Sequence, residues 1–230
     1  MVTEFISHLE PGISATRLEA YRPANGTDLE MLVNYLYNLA ISEALFTSLS
    51  FLEITLRNSL HANLAGFYGS ATWYDIRGVL EADQARDVTK VKSRIVGLGK
   101  SITPDRVVSE LHFGFWVSLL SSLYDGRIWR PAKAKVLKAS FSNIPTPMRR
   151  RNLIYFRYNA IRELLNRVFH HESVWNRPTL QNDHLAILES IDWINPDIGA
   201  TCRLVDRFPD VLMTGRTSIE AMVRSHLSVT

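Results

Sequence analysis

Residues 45–65 read LFTSLSFLEITLRNSLHANLA, with leucine at 45, 49, 52, 56, 60 and 64. Steps of three and four place all six on one face of an α-helix, because 3.6 residues complete a turn. Upstream, Leu32, Leu36, Leu39, Ala40 and Ala44 keep the same period. Two long amphipathic helices are therefore expected before the glycine- and serine-rich GFYGSATWYD loop at 66–75. Beyond it, Val79 to Gly97 reads as a third helix with charged residues outward. Thr103-Pro104-Asp105 starts a fourth, with proline at the first helical position, running to about Tyr124. Asp125-Gly126 reads as a turn and Pro131 to Phe141 as a basic helix. The NIPTP loop leads into Met148 to Phe169, and Thr179 to Trp193 and Asp197 to Phe208 complete the helical patterns. No strand series is visible. The fold class is all-α: a compact helical bundle with additional helices.

The 230 residues, 46% of them apolar, can bury one substantial core, and no linker separates halves of different composition. We read a single domain over 1–230, with an N-terminal extension of about 1–28 and a C-terminal helical tail of about 196–230. The opening MVTEFISHLEPG has acids where a secretory leader carries basic residues. The apolar run near Phe113 to Tyr124 is broken by serines and falls short of the roughly 20 residues that span a bilayer, so no membrane partner is expected. Cys202 is the single cysteine. It can form neither an internal disulfide nor a thiolate zinc site, so a cytoplasmic location is expected.

Charge is segregated along the chain. Residues 127–167 hold eleven basic residues against Glu163 alone, +10 in a chain of net +3. Trp129, Phe141, Tyr155, Phe156 and Tyr158 interleave with them, a pattern suited to a polyanion whose bases stack on aromatic rings. Solvated helix faces are the structural alternative. On that pattern Lys133, Lys135, Lys138, Arg149, Arg150, Arg151 and Arg157 are candidate contacts to such a polyanion, joined by Arg57 from the earlier helix.

Three stretches, FLEITLRNSLH at 51–61, ELHFGFWVSLLSSLY at 110–124 and IRELLNRVFHHESVWN at 161–176, resemble the Abi-like family of bacterial abortive-infection proteins, within the HEPN group of helical nucleases and nucleic-acid-binding domains. The resemblance covers about residues 30 to 195. It implies a HEPN-type bundle, a cytoplasmic defence or toxin role, RNA as partner, a homodimer, and an antitoxin or other protein as a further candidate partner. No cofactor and no metal is implied.

In that family an arginine, usually followed by asparagine or another polar residue, precedes a histidine with about four to six residues between them. Aligning Asn166 and His170 on the signature puts Leu165 at the arginine position. An arginine there can bind two phosphate oxygens as charge builds in the transition state, and leucine cannot. Arg162 and Arg167 on the same helix, or Arg57, could supply the charge. A site without cleavage, or a change that tames a toxic protein, are the alternatives. Arg162 lies two turns before His170, about 12 Å along the axis at ~1.5 Å per residue.

RNA carries its own nucleophile, the 2′-hydroxyl, so cleavage requires proton transfer and positive charge but no metal. His170 is the expected proton-transfer group, since imidazole titrates near neutrality. Its structural alternative is a favourable cation at a helix C-terminus. His171 ranks second, because neighbours on a helix diverge by about 100°. Asn166 could orient His170 or substrate. Glu53 and Arg57 suit a structural i,i+4 ion pair. Phe113, Phe115, Trp116 and Trp129 read as core. The expected function is a metal-independent endoribonuclease. A non-catalytic RNA-binding module, or a defence protein acting through protein partners, stands beside it.

Overall fold

The computed structural model describes residues 2–130 and 134–229. Among them are the helices α1 (Val2–Ile13), α2 (Ala15–Glu19), α3 (Asp28–Tyr68), α4 (Ala82–Gly97), α5 (Pro104–Glu110), α6 (Phe113–Leu119), α7 (Ala134–Ser140), α8 (Arg151–Phe169), α9 (Leu180–Asp192), α10 (Pro196–Leu204) and α11 (Phe208–Val229). No strand occurs among the described residues, and the chain is all-α.

Contacts gather into two units. The first comprises Met1–Ser48, Leu165–His184 and Val205–Thr230, the second Leu49–Leu164 and Leu185–Leu204. In the first, Ile6, Leu18, Met31, Leu32, Val223 and Leu227 form an apolar cluster from α1, α2, α3 and α11. Each such side chain contributes roughly 1.5–3 kcal/mol by leaving water. Two asparagines of α3 are buried and satisfied. Asn34 donates to the Tyr21 carbonyl (2.9 Å) and accepts from Arg216 (2.9 Å). Asn38 binds the backbone that follows α8.

In the second unit the leucines at 52, 56, 60 and 64 are fully buried, as their spacing requires. They share a core with Trp73, Trp116, Phe115, Phe141 and Tyr158. Polar atoms on these large rings find partners, since an unmet donor in the core costs about 1–3 kcal/mol. Trp116 Nε1 donates to the Leu111 carbonyl (3.2 Å), Trp129 Nε1 to that of Leu119 (2.6 Å) and Tyr158 Oη to that of Ser190 (2.8 Å).

Several elements differ from the sequence expectation. The two helices expected within 30–65 are one helix of 41 residues, because nothing between Ala44 and Leu45 breaks the backbone ladder. Leu39, expected on the apolar face, is exposed. The helix expected from Pro104 to Tyr124 stops at Glu110. His112 then caps a new helix by accepting the Phe115 N–H on Nδ1 (3.2 Å). Asp125-Gly126 opens a π-helical turn over Asp125–Trp129 rather than a tight turn. The N-terminal segment holds two helices and the C-terminal tail a long one, kinked where Gly215 adopts φ 60°. The beginning of the expected basic helix, Pro131 to Lys133, lies outside the described residues.

By length and composition α3 could cross a membrane. Its leucine stripe is instead spent on protein core, and Asn34 and Asn38 are buried with protein partners.

Candidate functional site

α8 ends in a backbone turn that explains where His170 stands. The Glu172 N–H bonds back to the Arg167 carbonyl (2.8 Å) and the His171 N–H to that of Val168 (3.2 Å), the paired bonds of a Schellman cap. His171 therefore takes the left-handed position, φ 56°, usually given to glycine. Three side chains hold this turn. Arg17 and Tyr21 approach the His171 carbonyl (3.3 and 3.4 Å), and Asn38 donates to that of Glu172 (3.3 Å). The Asn38 carbonyl also accepts the N–H groups of Val174 (2.7 Å) and Trp175 (3.2 Å). Five hydrogen bonds to consecutive backbone groups make the end of α8 a fixed platform.

On that platform Asn166, Arg167, Phe169, His170, His171 and Glu172 are exposed. Arg167 Nε lies 3.8 Å from Glu172, too far for a hydrogen bond, so its guanidinium stays available to an anion from solvent. Phe169 packs on Phe46, ring centroids 5.8 Å apart, and both rings are half-exposed. One imidazole, one guanidinium, an amide and two open aromatic faces can together meet a phosphate and a base. Leu165 is partly buried and brings no charge.

The other arginines proposed from sequence are engaged elsewhere. Arg162 donates to the Asn159 side-chain oxygen, Oδ1, through Nε (3.2 Å) and Nη2 (2.9 Å). Arg57 Nη1 reaches the Ser109 carbonyl at the end of α5 (3.3 Å), where a cation meets the negative pole of the helix. No ion pair within 4 Å joins it to Glu53 among the described residues, so the expected i,i+4 bridge does not form. His61, one turn on, accepts from Trp73 Nε1 (3.1 Å) on Nδ1. Burial lowers its pKa, with Asp105 opposing, so the ring favours the neutral state that can accept.

Part of the basic segment is paired with acids. Arg127 pairs with Glu81 (2.8 Å), Arg151 with Asp125 (2.5 Å) and the Leu120 carbonyl (2.7 Å), and Arg157 with Glu189 (2.9 Å) while lying over Trp193. Arg149 donates to the Ile144 carbonyl (3.1 Å). Lys135, Lys138 and Arg150 remain exposed, and Lys133 lies outside the described residues. Of the interleaved aromatics, Trp129, Phe141 and Tyr158 are buried; Phe156, 64% exposed, is open for stacking, with Tyr155 beside it.

Sequence reasoning missed two groups. Arg17, Tyr21 and Asn38, which hold the α8 cap, come from segments with no motif. His112 and Gly114 were read only as part of a core helix, although the sequence HFGFW does carry a signal: a polar residue followed by glycine interrupts an apolar run.

No protein-family model, no curated protein and no solved structure matches this chain.

Proposed function

We propose that this chain acts on RNA as a protein of the abortive-infection type, contacting a phosphodiester at the end of α8 with His170 as a proton-transfer group. The observation that carries this reading is the pinned Schellman cap. It spends several hydrogen bonds, and a left-handed non-glycine residue, to hold an exposed Asn166–Arg167–His170 group that has no packing role. Unfavourable backbone held in place by many contacts clusters where function needs a fixed geometry. The three resembling stretches support the same substrate, and metal-independent chemistry follows from the 2′-hydroxyl being the nucleophile. Leu165 leaves the site short of a fully placed guanidinium, so cleavage there is slow compared with binding.

Pairing of two chains with their α8 helices facing is part of this proposal, as is a cytoplasmic setting with an antitoxin or other protein as regulator. The test is RNA binding and cleavage in chelator over a range of salt. Affinity that falls steeply with salt, and is weakened by His170→Ala with Arg167→Ala, supports the reading. A chain that ignores RNA at low salt leaves the protein-partner alternative.

A further inference from the structure

Within the second unit, four chemistry-bearing side chains from two helices and one interhelical junction meet around the first turn of α6. Glu53 and Arg57 stand one turn apart on α3. His112 precedes α6, and Arg162 comes from α8. Gly114 makes the approach possible. A Cβ there would sit 3.0 Å from His112 Nδ1, so the ring would have to give by a few tenths of an ångström, and in ordinary contact, 3.6 Å, with Arg162 Cδ.

The states of these groups are specific. Glu53 is partly buried, and burial raises its pKa above the ordinary carboxylate value, against the lowering effects of Arg57, the Phe113 N–H and His112. With no guanidinium within 4 Å among the described residues, it keeps the basicity that a tight ion pair would remove. Arg57 Nε is buried without an acceptor among the described residues, an orphaned donor on a permanent cation. His112 commits Nδ1 to the Phe115 N–H, which leaves its proton on Nε2, a donor on an exposed ring 3.7 Å from Asp87. An anion seat alone has no use for a carboxylate. A proton acceptor beside the Arg57 guanidinium and the His112 ring, with the Arg162 stem against the same turn, has the composition of a phosphodiester transesterification site.

We infer that Glu53, Arg57, His112 and Arg162 form an acid–base site for an RNA phosphodiester, with Glu53 accepting the proton of the 2′-hydroxyl. The inference rests on RNA being the substrate. The 2′-oxygen loses its proton to Glu53 and bonds to phosphorus, while Arg57, Arg162 and His112 Nε2–H meet the charge on the phosphoryl oxygens. The bond from phosphorus to the 5′-oxygen then breaks. That oxygen takes a proton from water, and Glu53 returns its own proton to water. The products are a 2′,3′-cyclic phosphate and a 5′-hydroxyl. Unassisted departure of the 5′-oxygen makes the reaction slow and leaves Glu53 as the titrating base. Arg57 from α3 and His112 from the α5–α6 junction are the charged or titratable groups that act on it, and Asp87 of α4 stands 3.7 Å from His112 Nε2.

The experiment uses the full chain with labelled single-stranded RNA in chelator, measuring affinity, single-turnover cleavage from pH 4.5 to 7.5, and thermal stability. Glu53→Gln, which keeps the shape of the side chain, is expected to bind RNA at least as well as wild type and to cleave on the order of a hundredfold more slowly, with the rise in rate through the carboxylate range gone. Arg162→Lys should cleave at least tenfold more slowly at unchanged melting temperature, and it carries the test if Glu53→Gln does not fold. Wild-type cleavage and an unaltered pH profile in Glu53→Gln overturn the inference. So does RNA binding by wild type with no chelator-resistant cleavage. Absence of RNA binding at any salt is a separate result that overturns the RNA reading itself.

Discussion

Asn38 sits inside a long apolar helix, where a sequence reader sees only a polar interruption. Its amide satisfies two backbone N–H groups and donates to a carbonyl beyond α8, and it also donates to Tyr21 Oη (3.1 Å). Asn38→Ala orphans the buried Val174 and Trp175 amides, each worth about 1–3 kcal/mol. A loss of roughly 2–4 kcal/mol in urea unfolding is expected, with weaker RNA binding in folded protein because the His170 platform loosens. His61 makes a different prediction. Its folded pKa is below its unfolded value, so its contribution to stability is complete above about pH 6.5 and is lost as pH falls. His61→Gln keeps an acceptor for Trp73 and removes the titration. Between pH 7.5 and 5 its urea midpoint should fall less than that of wild type; an identical fall would mean His61 titrates normally.

At the scale of elements, the leucine repeat of α3 was legible because one buried face and one open face give strong contrast. The junction at His112 was not. Phe113 to Leu119 is apolar on every side, so periodicity has no contrast there, and histidine is not among the usual N-cap residues. The break matters because it turns the start of α6 toward Glu53 and Arg162. Gly114→Ala should therefore lower cleavage more than stability, read as a rate loss of tenfold or more with a melting shift of only a few degrees. Along α8, Leu165→Arg places a guanidinium about a turn and a half before His170. It should raise chelator-resistant cleavage without a requirement for metal, and the gain should vanish when His170→Ala is added. An unchanged rate would mean the end of α8 only binds.

For the whole molecule, the decisive quantity is where the charges finish. A run of +10 in sequence suggested a continuous phosphate track. Folding brings Glu81, Asp125 and Glu189 onto Arg127, Arg151 and Arg157, and these acids come from segments before and after the run. Arg150→Glu should flatten the salt dependence of RNA affinity by about one unit of slope and leave the fold intact. Arg151→Glu should destabilise instead, by removing an ion pair and a carbonyl bond from a largely buried guanidinium and leaving the Asp125 carboxylate against a new negative charge. Equal effects of the two on binding alone would restore the continuous track. Sedimentation at micromolar concentration tests the proposed dimer, which should lose mass when Phe46 and Phe169 are both changed to Ser.

The sequence by itself determined that the chain is helical and that the leucines at 45, 49, 52, 56, 60 and 64 share one buried face. Those properties depend on spacing and composition within a few turns. Only the tertiary structure decided that His171 is left-handed and held by Arg17, Tyr21 and Asn38, that Arg162 lies against Gly114, and that three arginines of the basic run pair with distant acids. Each of these is a contact between residues tens to more than a hundred positions apart, and no local pattern of period 3.6 carries information about a partner that distant.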